Sequence, residues 1–119
     1  MVTIQIIHTA FEAVSRHVAS LTSVEPIESA LEEAFVGTQN IDTSWVETRG
    51  QRGVSVEPTE DVLTQGSCRS TSVGDYVRII DEQGEESFFR CCSSGWNPIT
   101  DRSELSKTGS EVMIAAYVS

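Results

Sequence analysis

The sequence predicts an α+β fold: an antiparallel or mixed sheet of five to six strands, with one or two helices packed on one face. Three patterns favour this class. Residues 2–9 alternate apolar and polar side chains, residues 25–37 repeat apolar side chains at helical spacing, and residues 72–93 contain two strand-like runs around a glycine. The helical patterns lie early and most strand patterns late. With 119 residues, the chain is expected to form a single small domain, residues 1–119.

The first strand is predicted from "VTIQIIHT", in which Val2, Ile4 and Ile6 share one face. His8 has the same parity, and we expect it to be a hydrogen-bonded residue at the edge of the core. The next stretch, "AFEAVSRHVASL", predicts a short helix or an irregular crossover. Its helical stripe consists of Phe11, Val14, Val18 and Leu21.

The clearest helix is predicted over "EPIESALEEAFVG". Pro26 suits the first helical turn, and Gly37 is a natural terminator. The apolar residues recur at i, i+3, i+4, i+7 and i+8: Ile27, Ala30, Leu31, Ala34 and Phe35. The opposite side is covered by Glu28, Glu32 and Glu33. We expect this acidic face to be either solvated or in contact with a partner.

Short strands and turns are predicted for the rest of the chain. Trp45 and Val46 are expected to begin a strand, "RGQRG" to form a hairpin-like connection, and "VSVE" to return. The run "SVGDYVRIIDEQGEESFFRCCS" predicts a β-hairpin with Gly84 in its tight connection. "DRSELSKTGS" is expected to be an exposed loop or a helical turn, and "EVMIAAYV" a closing strand, with a helix as second choice. The predicted core consists of Ile4, Ile6, Leu31, Phe35, Trp45, Val77, Ile79 and Phe89.

The composition is strongly acidic. Eighteen Asp and Glu residues against eight Lys and Arg residues give a net charge of −10, which disfavours direct binding to nucleic-acid phosphates and to anionic membranes. Two interpretations stay open: a GC-rich genome or salt-adapted cytosol, and a surface that binds a basic partner by imitating nucleic acid. No run approaches the roughly 18 apolar residues that span a bilayer, and the N-terminus lacks signal-peptide features. We therefore expect a cytoplasmic protein, in the host cytoplasm if it is viral, and no membrane partner.

The three cysteines do not form a metal-binding pattern. Cys68, Cys91 and Cys92 lack the spacing of zinc ligands, and adjacent residues of a strand point to opposite faces. Reduced, partly buried thiols are expected, with no metal and no cofactor. A catalytic cysteine would need an activating base, for which only His8 and His17 are available.

Two polar segments, "TQNIDTSW" and "RSTSVGD", are specified more closely than ordinary loops. Side chains of the first can bond the open carbonyls after the helix, with Trp45 filling the core. Ser70, Ser72 and Asp75 can do the same before the hairpin, where Gly74 supplies an unusual backbone angle. An architectural role is the main expectation. If a partner-binding site exists, its candidates are the exposed Arg69, Asp75 and Trp96, together with Glu28, Glu32 and Glu33.

In sequence, these segments resemble small uncharacterised proteins of tailed phages, especially cyanophages, which pair a "TQN-I-x-x-SW" segment with a downstream "RSTSVGD" segment. The second segment also resembles a motif of bacterial plasmid- and mobile-element-borne proteins. The matching positions are Arg69, Ser70, Ser72, Val73, Gly74, Asp75, Val77, Phe89, Gly95 and Trp96. The resemblance spans most of residues 1–100 and implies a viral or mobile-element origin without implying an activity. The adjacent cysteines and the long acidic helix depart from it.

Three functions are compatible with these patterns. The first is a non-enzymatic viral or mobile-element accessory protein that binds a host protein with a basic surface and modulates it. The second is a binding module for peptides or nucleic acid built on a small SH3-like barrel, because "VGDYVRIID" resembles the strand that opens such barrels. The third is a small hydrolase that uses Cys68 or a serine with His8. No phosphate loop, metalloprotease motif or paired-carboxylate pattern supports an enzyme.

Overall fold

The computed structural model describes residues 1–118 and has the predicted α+β architecture. The elements in chain order are β1 (Val2–His8), β2 (Arg16–Ser23), α1 (Ile27–Gly37), α2 (Trp45–Thr48), β3 (Gly50–Gln51), β4 (Val54–Ser55), β5 (Glu57–Pro58), α3 (Glu60–Gln65), β6 (Tyr76–Ile80), β7 (Glu86–Cys92), β8 (Gly95–Pro98), a 3-10 helix (Arg102–Ser106) and α4 (Gly109–Tyr117). Within this part of the chain, no helix is long and apolar enough to cross a membrane.

Six strands form one antiparallel sheet in the order β5-β2-β1-β6-β7-β8. β1 lies near the centre and pairs with β2 on one side and β6 on the other, with a bulge in the β1–β2 pairing between Ile6 and Ile7. β3 and β4 form a separate small hairpin. The large sheet is open, with β5 and β8 at its edges. The expectation of an SH3-like barrel therefore finds no support in the strand order.

The main core lies on one face of this sheet. β-strand alternation puts Ile4 and Ile6 of β1 on the same face as Val77 and Ile79 of β6, with which they are paired. Of the eight predicted core residues, six are buried: Ile4, Ile6, Leu31, Trp45, Val77 and Ile79. Phe35 and Phe89 are only half-buried. A smaller cluster of Ile7, Tyr76 and Phe88 lies on the other face.

The helices are more numerous than predicted and do not all cover one face. Buried residues of α1, α2 and α3 join the main core. In helix α4, Val112 and Ala116 line a pocket together with Arg90 and Cys92 of β7. By strand alternation, Arg90 and Cys92 point to the face opposite that of Cys91, which lies on the main-core face. The prediction that helices pack on one face is therefore wrong for α4.

Residues 16–23 form a strand, whereas a short helix or irregular crossover was expected there. Pairing with β1, interrupted by the one bulge between Ile6 and Ile7, buries Val18, Ala19 and Leu21 in the sheet. Phe11 and Val14 of the expected helical stripe lie in the β1–β2 loop and are 61% and 76% exposed. Pairing with a central strand outweighs the weak helical pattern, as is common for β-branched residues.

Two predicted strands are helices. Trp45 begins α2, whose N-cap Ser44 accepts a hydrogen bond from the backbone N–H of Glu47. The closing segment forms α4, in which Val112 and Ala116, four residues apart, are buried. Alanines and methionine in "EVMIAAY" favour a helix, which was the second choice for this segment. The polar segment before it contains the expected helical turn, as a 3-10 helix.

Candidate functional site

The two polar segments singled out in the sequence lie against each other. The backbone N–H of Thr71 donates to the carbonyl of Thr38 at 3.0 Å. The Nδ2 of Asn40 donates to the carbonyl of Cys68 at 2.9 Å, and its Oδ1 accepts from the backbone N–H of Trp45 at 2.9 Å. The two segments thus satisfy each other's backbone groups, which is the architectural role expected of them.

Trp45 anchors this junction from inside. Its side chain is fully buried in the main core, and its indole Nε1–H donates to the carbonyl of Arg69 at 3.1 Å. A buried indole N–H needs such a partner. The tryptophan therefore ties the main core to the segment that precedes β6.

Asp75 is the centre of a dense hydrogen-bond network and is not the exposed candidate that the sequence suggested. Its carboxylate is fully buried. Oδ1 accepts from the backbone N–H groups of Thr9 and Ala10 at 2.8 and 3.0 Å, and Oδ2 accepts from that of Ser72 at 2.8 Å. Arg69 donates through Nη1 and Nη2 at 2.7 and 2.9 Å. This network fixes the β1–β2 loop to the start of β6.

The electrostatics of this pair favour the charged forms. Burial alone would raise the pKa of Asp75, but the hydrogen bonds from Arg69 and Ala10, with the nearby charges, hold that pKa below its ordinary value. Burial alone would lower the pKa of Arg69, and the bonds and charge of Asp75 raise it instead. Arg69 also lies 4.9 Å over the ring of Phe11. Its guanidinium is therefore engaged within the fold.

A chain of oriented hydrogen bonds runs behind Asp75. The hydroxyl of Thr38 donates to the carbonyl of Ala34 at 2.8 Å, so it must accept from the hydroxyl of Thr71 at 2.7 Å. Thr71 must then accept from Nε2–H of His8 at 3.0 Å. The remaining His8 nitrogen, Nδ1, carries a lone pair and accepts from the thiol of Cys68 at 3.7 Å. Each group has one consistent role when His8 is neutral.

This cysteine–histidine contact does not prepare a nucleophile. Burial is the main reason that the pKa of His8 falls from 6.5 to about 4, although Asp75, 3.9 Å away, pulls it upward. Burial also raises the pKa of the Cys68 thiol. A catalytic cysteine needs a lowered thiol pKa and access to substrate, whereas both side chains are buried. His8 is hydrogen-bonded, as the sequence predicted, but it is fully buried, whereas a place at the edge of the core is expected from the sequence.

A groove of about 420 Å³ lies beside the junction, between α1, residues 71–73 and the β7–β8 hairpin. Phe35 and Trp96 supply half-buried aromatic rings, and Glu32 supplies a carboxylate. The floor includes Cys91, which is paired with Trp96 across the two strands. The groove lies at the β8 edge of the sheet.

The three predicted glutamates of α1 divide into two kinds. Glu28 and Glu32 are exposed, and neither forms an ion pair within residues 1–118. Glu33 is half-buried and accepts a hydrogen bond from the hydroxyl of Ser23 at 2.6 Å. Glu33 therefore belongs to the packing of α1 on β2, and the free acidic surface consists of Glu28 and Glu32.

The structure thus brings the predicted site residues together in two places. Arg69 and Asp75 pair with each other inside the fold, and Glu32 and Trp96 line the same groove. The sequence does not predict that Phe35 lines the groove, because its helical spacing is that of a core residue. Within residues 1–118, no group of three or more His, Cys, Asp and Glu side chains is arranged to hold a metal ion.

Comparison of the chain with known proteins adds no assignment to this geometry. No protein-family model, no curated protein and no solved structure matches it.

Proposed function

We propose that this protein is a non-enzymatic accessory protein that binds a host protein through the acidic surface of α1 and thereby alters its activity. The partner presents a basic surface. The resemblance of the two polar segments to phage and mobile-element proteins supports a viral or mobile-element origin. Three reduced, buried cysteines suit the reducing cytoplasm of a host cell.

The observation that carries this proposal is the uneven distribution of charge. Between Arg16 and Arg49 the chain has no Lys or Arg but six carboxylates: Glu25, Glu28, Glu32, Glu33, Asp42 and Glu47. The exposed pair Glu28 and Glu32 is spaced i, i+4, an arrangement that repels and slightly destabilises the isolated helix. Unpaired like charges held on one helix face generate a field that attracts a basic partner.

Most of the basic residues are buried or paired with acids outside α1. Of the eight Lys and Arg residues, Arg90 is buried and Arg69 is paired with the buried Asp75. Other cations are paired with acids outside α1: Arg16 with Asp61, Arg49 with Glu57, Arg78 with Glu86 and Lys107 with Glu104. The surface of α1 is therefore more acidic than the average of the chain.

The test uses paired charge reversals. Glu28→Lys with Glu32→Lys is compared with Glu60→Lys with Glu85→Lys, which changes the net charge equally at exposed positions outside α1. Glu60 lies in the first turn of α3, as Glu28 does in α1, so the effect on helix dipoles is matched. Exposed charges contribute only about 0.2–1 kcal/mol each to stability, so both variants are expected to fold.

Affinity capture from bacterial lysate, followed by binding measurements on the purified partner, gives the result. The wild type and the Glu60/Glu85 variant are expected to retain the same basic protein, and the Glu28/Glu32 variant is expected to lose it. Added salt should weaken the complex, because charge attraction is screened beyond about 10 Å at 0.1 M. Equal capture by both variants, or capture that is insensitive to salt, would contradict the proposal.

A further inference from the structure

The groove beside α1 has the composition of a site for a positively charged side chain. Phe35 comes from α1 and Trp96 from β8, so two aromatic rings from different elements meet the same opening. Glu32 is the one charged residue among the described residues that line it. Aromatic faces attract cations through their quadrupoles, and a nearby carboxylate adds a direct charge partner.

No cation of the chain occupies this groove. Its lining contains no Lys or Arg within residues 1–118, and the arginines that stack on aromatic rings use Phe11, Tyr76 and Phe88 elsewhere. Cys91 also lines the groove, and the pKa of its thiol is raised to about 12, by burial first and then by the charges of Asp75 and Glu32 among others. The groove is thus half-open and largely apolar, and the one charged residue among the described residues that line it is a carboxylate.

We propose that this groove binds an arginine side chain presented by an exposed segment of the partner protein. The guanidinium stacks on Trp96 and pairs with the carboxylate of Glu32, while the aliphatic stem lies along Phe35. Arginine fits better than lysine, because its planar group stacks on rings and pairs with a carboxylate through two parallel hydrogen bonds. This inference rests on the proposed function, since it names the chemistry by which the α1 surface recognises a basic partner.

A short peptide tests the site without the natural partner. The probe is acetyl-Ala-Arg-Ala-Arg-Ala-amide, added to ¹⁵N-labelled protein, with backbone amides and the Trp96 indole followed by NMR. The matched control peptide replaces both arginines by citrulline, which has nearly the same shape and no charge. We expect saturable shifts at the Trp96 indole and at residues 71–73 with the arginine peptide, and none that saturate with the citrulline peptide.

Three variants locate the interaction. Glu32→Gln keeps the shape of the side chain and removes its charge, and Trp96→Leu keeps apolar packing and removes the ring. Each substitution is expected to lower the affinity for the arginine peptide about three- to fivefold, which is the effect of losing one exposed cation–π contact or charge pair. Glu60→Gln, which removes a carboxylate outside the groove, should leave the affinity unchanged. Each variant's thermal unfolding shows whether it is folded.

The outcomes separate this inference from the proposed function. Equal binding of the citrulline peptide, tighter binding of a lysine peptide, or unchanged affinity in Glu32→Gln and Trp96→Leu would overturn the groove site. If the Glu28/Glu32 charge reversal abolished partner capture while Trp96→Leu did not weaken it, the proposed function would be supported and the arginine site in the groove would be refuted. If neither change affected capture, both proposals would be refuted.

Discussion

Acidification is expected to destabilise this protein through His8, whose side chain is completely buried. Its neutral form suits its neighbours: Nε2–H donates to Thr71 and Nδ1 accepts from the thiol of Cys68. Protonation at Nδ1 would add a second donor facing a group that is already a donor. Arg69 and Arg16 also disfavour the charged form, although Asp75 favours it. Burial dominates, and the pKa of His8 in the folded protein falls to about 4.

The size and sign of the effect follow from this shift. The unfolded chain takes up the proton near pH 6.5, whereas the folded chain takes it up only near pH 4. Between these values the unfolded state binds more protons, so the free energy of unfolding falls as the pH falls. The slope approaches about 1.4 kcal/mol per pH unit. The total loss from this one residue is about 3 kcal/mol by pH 4.

Urea unfolding followed by tryptophan fluorescence, repeated across this pH range, measures the loss. His8→Gln is the informative variant, because the glutamine amide can still donate to Thr71 but does not titrate. The exposed His17→Gln is measured beside it, as the same substitution at the other histidine of the chain. Changes due to carboxylates that do not interact with His8 are common to all three proteins, so they cancel in the differences; Asp75, 3.9 Å from His8, is the exception. Parallel profiles for the wild type and His8→Gln between pH 6.5 and 4 would refute this explanation.

Three further outcomes are expected. Asp75→Asn should lower the free energy of unfolding by about 3–5 kcal/mol, because it removes the buried charge partner of Arg69 and leaves that guanidinium only Glu12, 3.6 Å from its Nε. A loss below about 1 kcal/mol would contradict the ion-pair interpretation. Gly37→Ala should destabilise the protein by about 1–3 kcal/mol, since an added Cβ would lie 2.8 Å from Cγ1 of Val56 and 2.9 Å from that of Val54. Chemical denaturation measures the loss, with the exposed Ser29→Ala as the control. Thiol titration of protein unfolded without reductant should find all three cysteines reactive, and a count of one would show a disulfide.

The elements that the sequence predicted well are those with a strong local period. Strand β1 alternates from Val2 to Ile6, α1 repeats its apolar residues over three turns, and the β6–β7 hairpin has its glycine turn between two apolar runs. In each case the face that the pattern marked as apolar is the one that is buried. Hydrophobic periodicity decides such elements because burial of one face supplies most of their stability.

Helices α2 and α3 were missed although local signals were present. Ser44 and Glu47 form the spacing of a capping box, and Ser44 does accept from the N–H of Glu47. Thr59 caps α3 in the same way, with two acidic residues in the first turn, and Gly66 ends that helix in the left-handed region. Strand β2 is different, because its conformation depends on pairing with β1 and no local signal outweighs its helical spacing.

The burial of Asp75 could not be predicted from its own segment. A Ser-x-x-x-Gly-Asp pattern is typical of an exposed turn, and the N–H groups that its carboxylate accepts from belong to Thr9 and Ala10, 66 and 65 residues away. Only the folded topology, in which the end of β1 meets the start of β6, brings them together. The placement of Glu32 and Trp96 around one groove has the same origin.

The two polar segments also determine how rigid the groove is, although only a few of their side chains line it. Thr71 and Ser72 form one wall, and both are held from behind: the N–H of Thr71 donates to the carbonyl of Thr38, and that of Ser72 to the carboxylate of Asp75. Gly74 N–H donates to the carbonyl of Cys91 at 2.8 Å and fixes the same wall to β7. This wall cannot shift without breaking several buried hydrogen bonds at once. A partner's side chain would therefore meet a preformed opening, and little of its binding free energy would be lost in ordering the site.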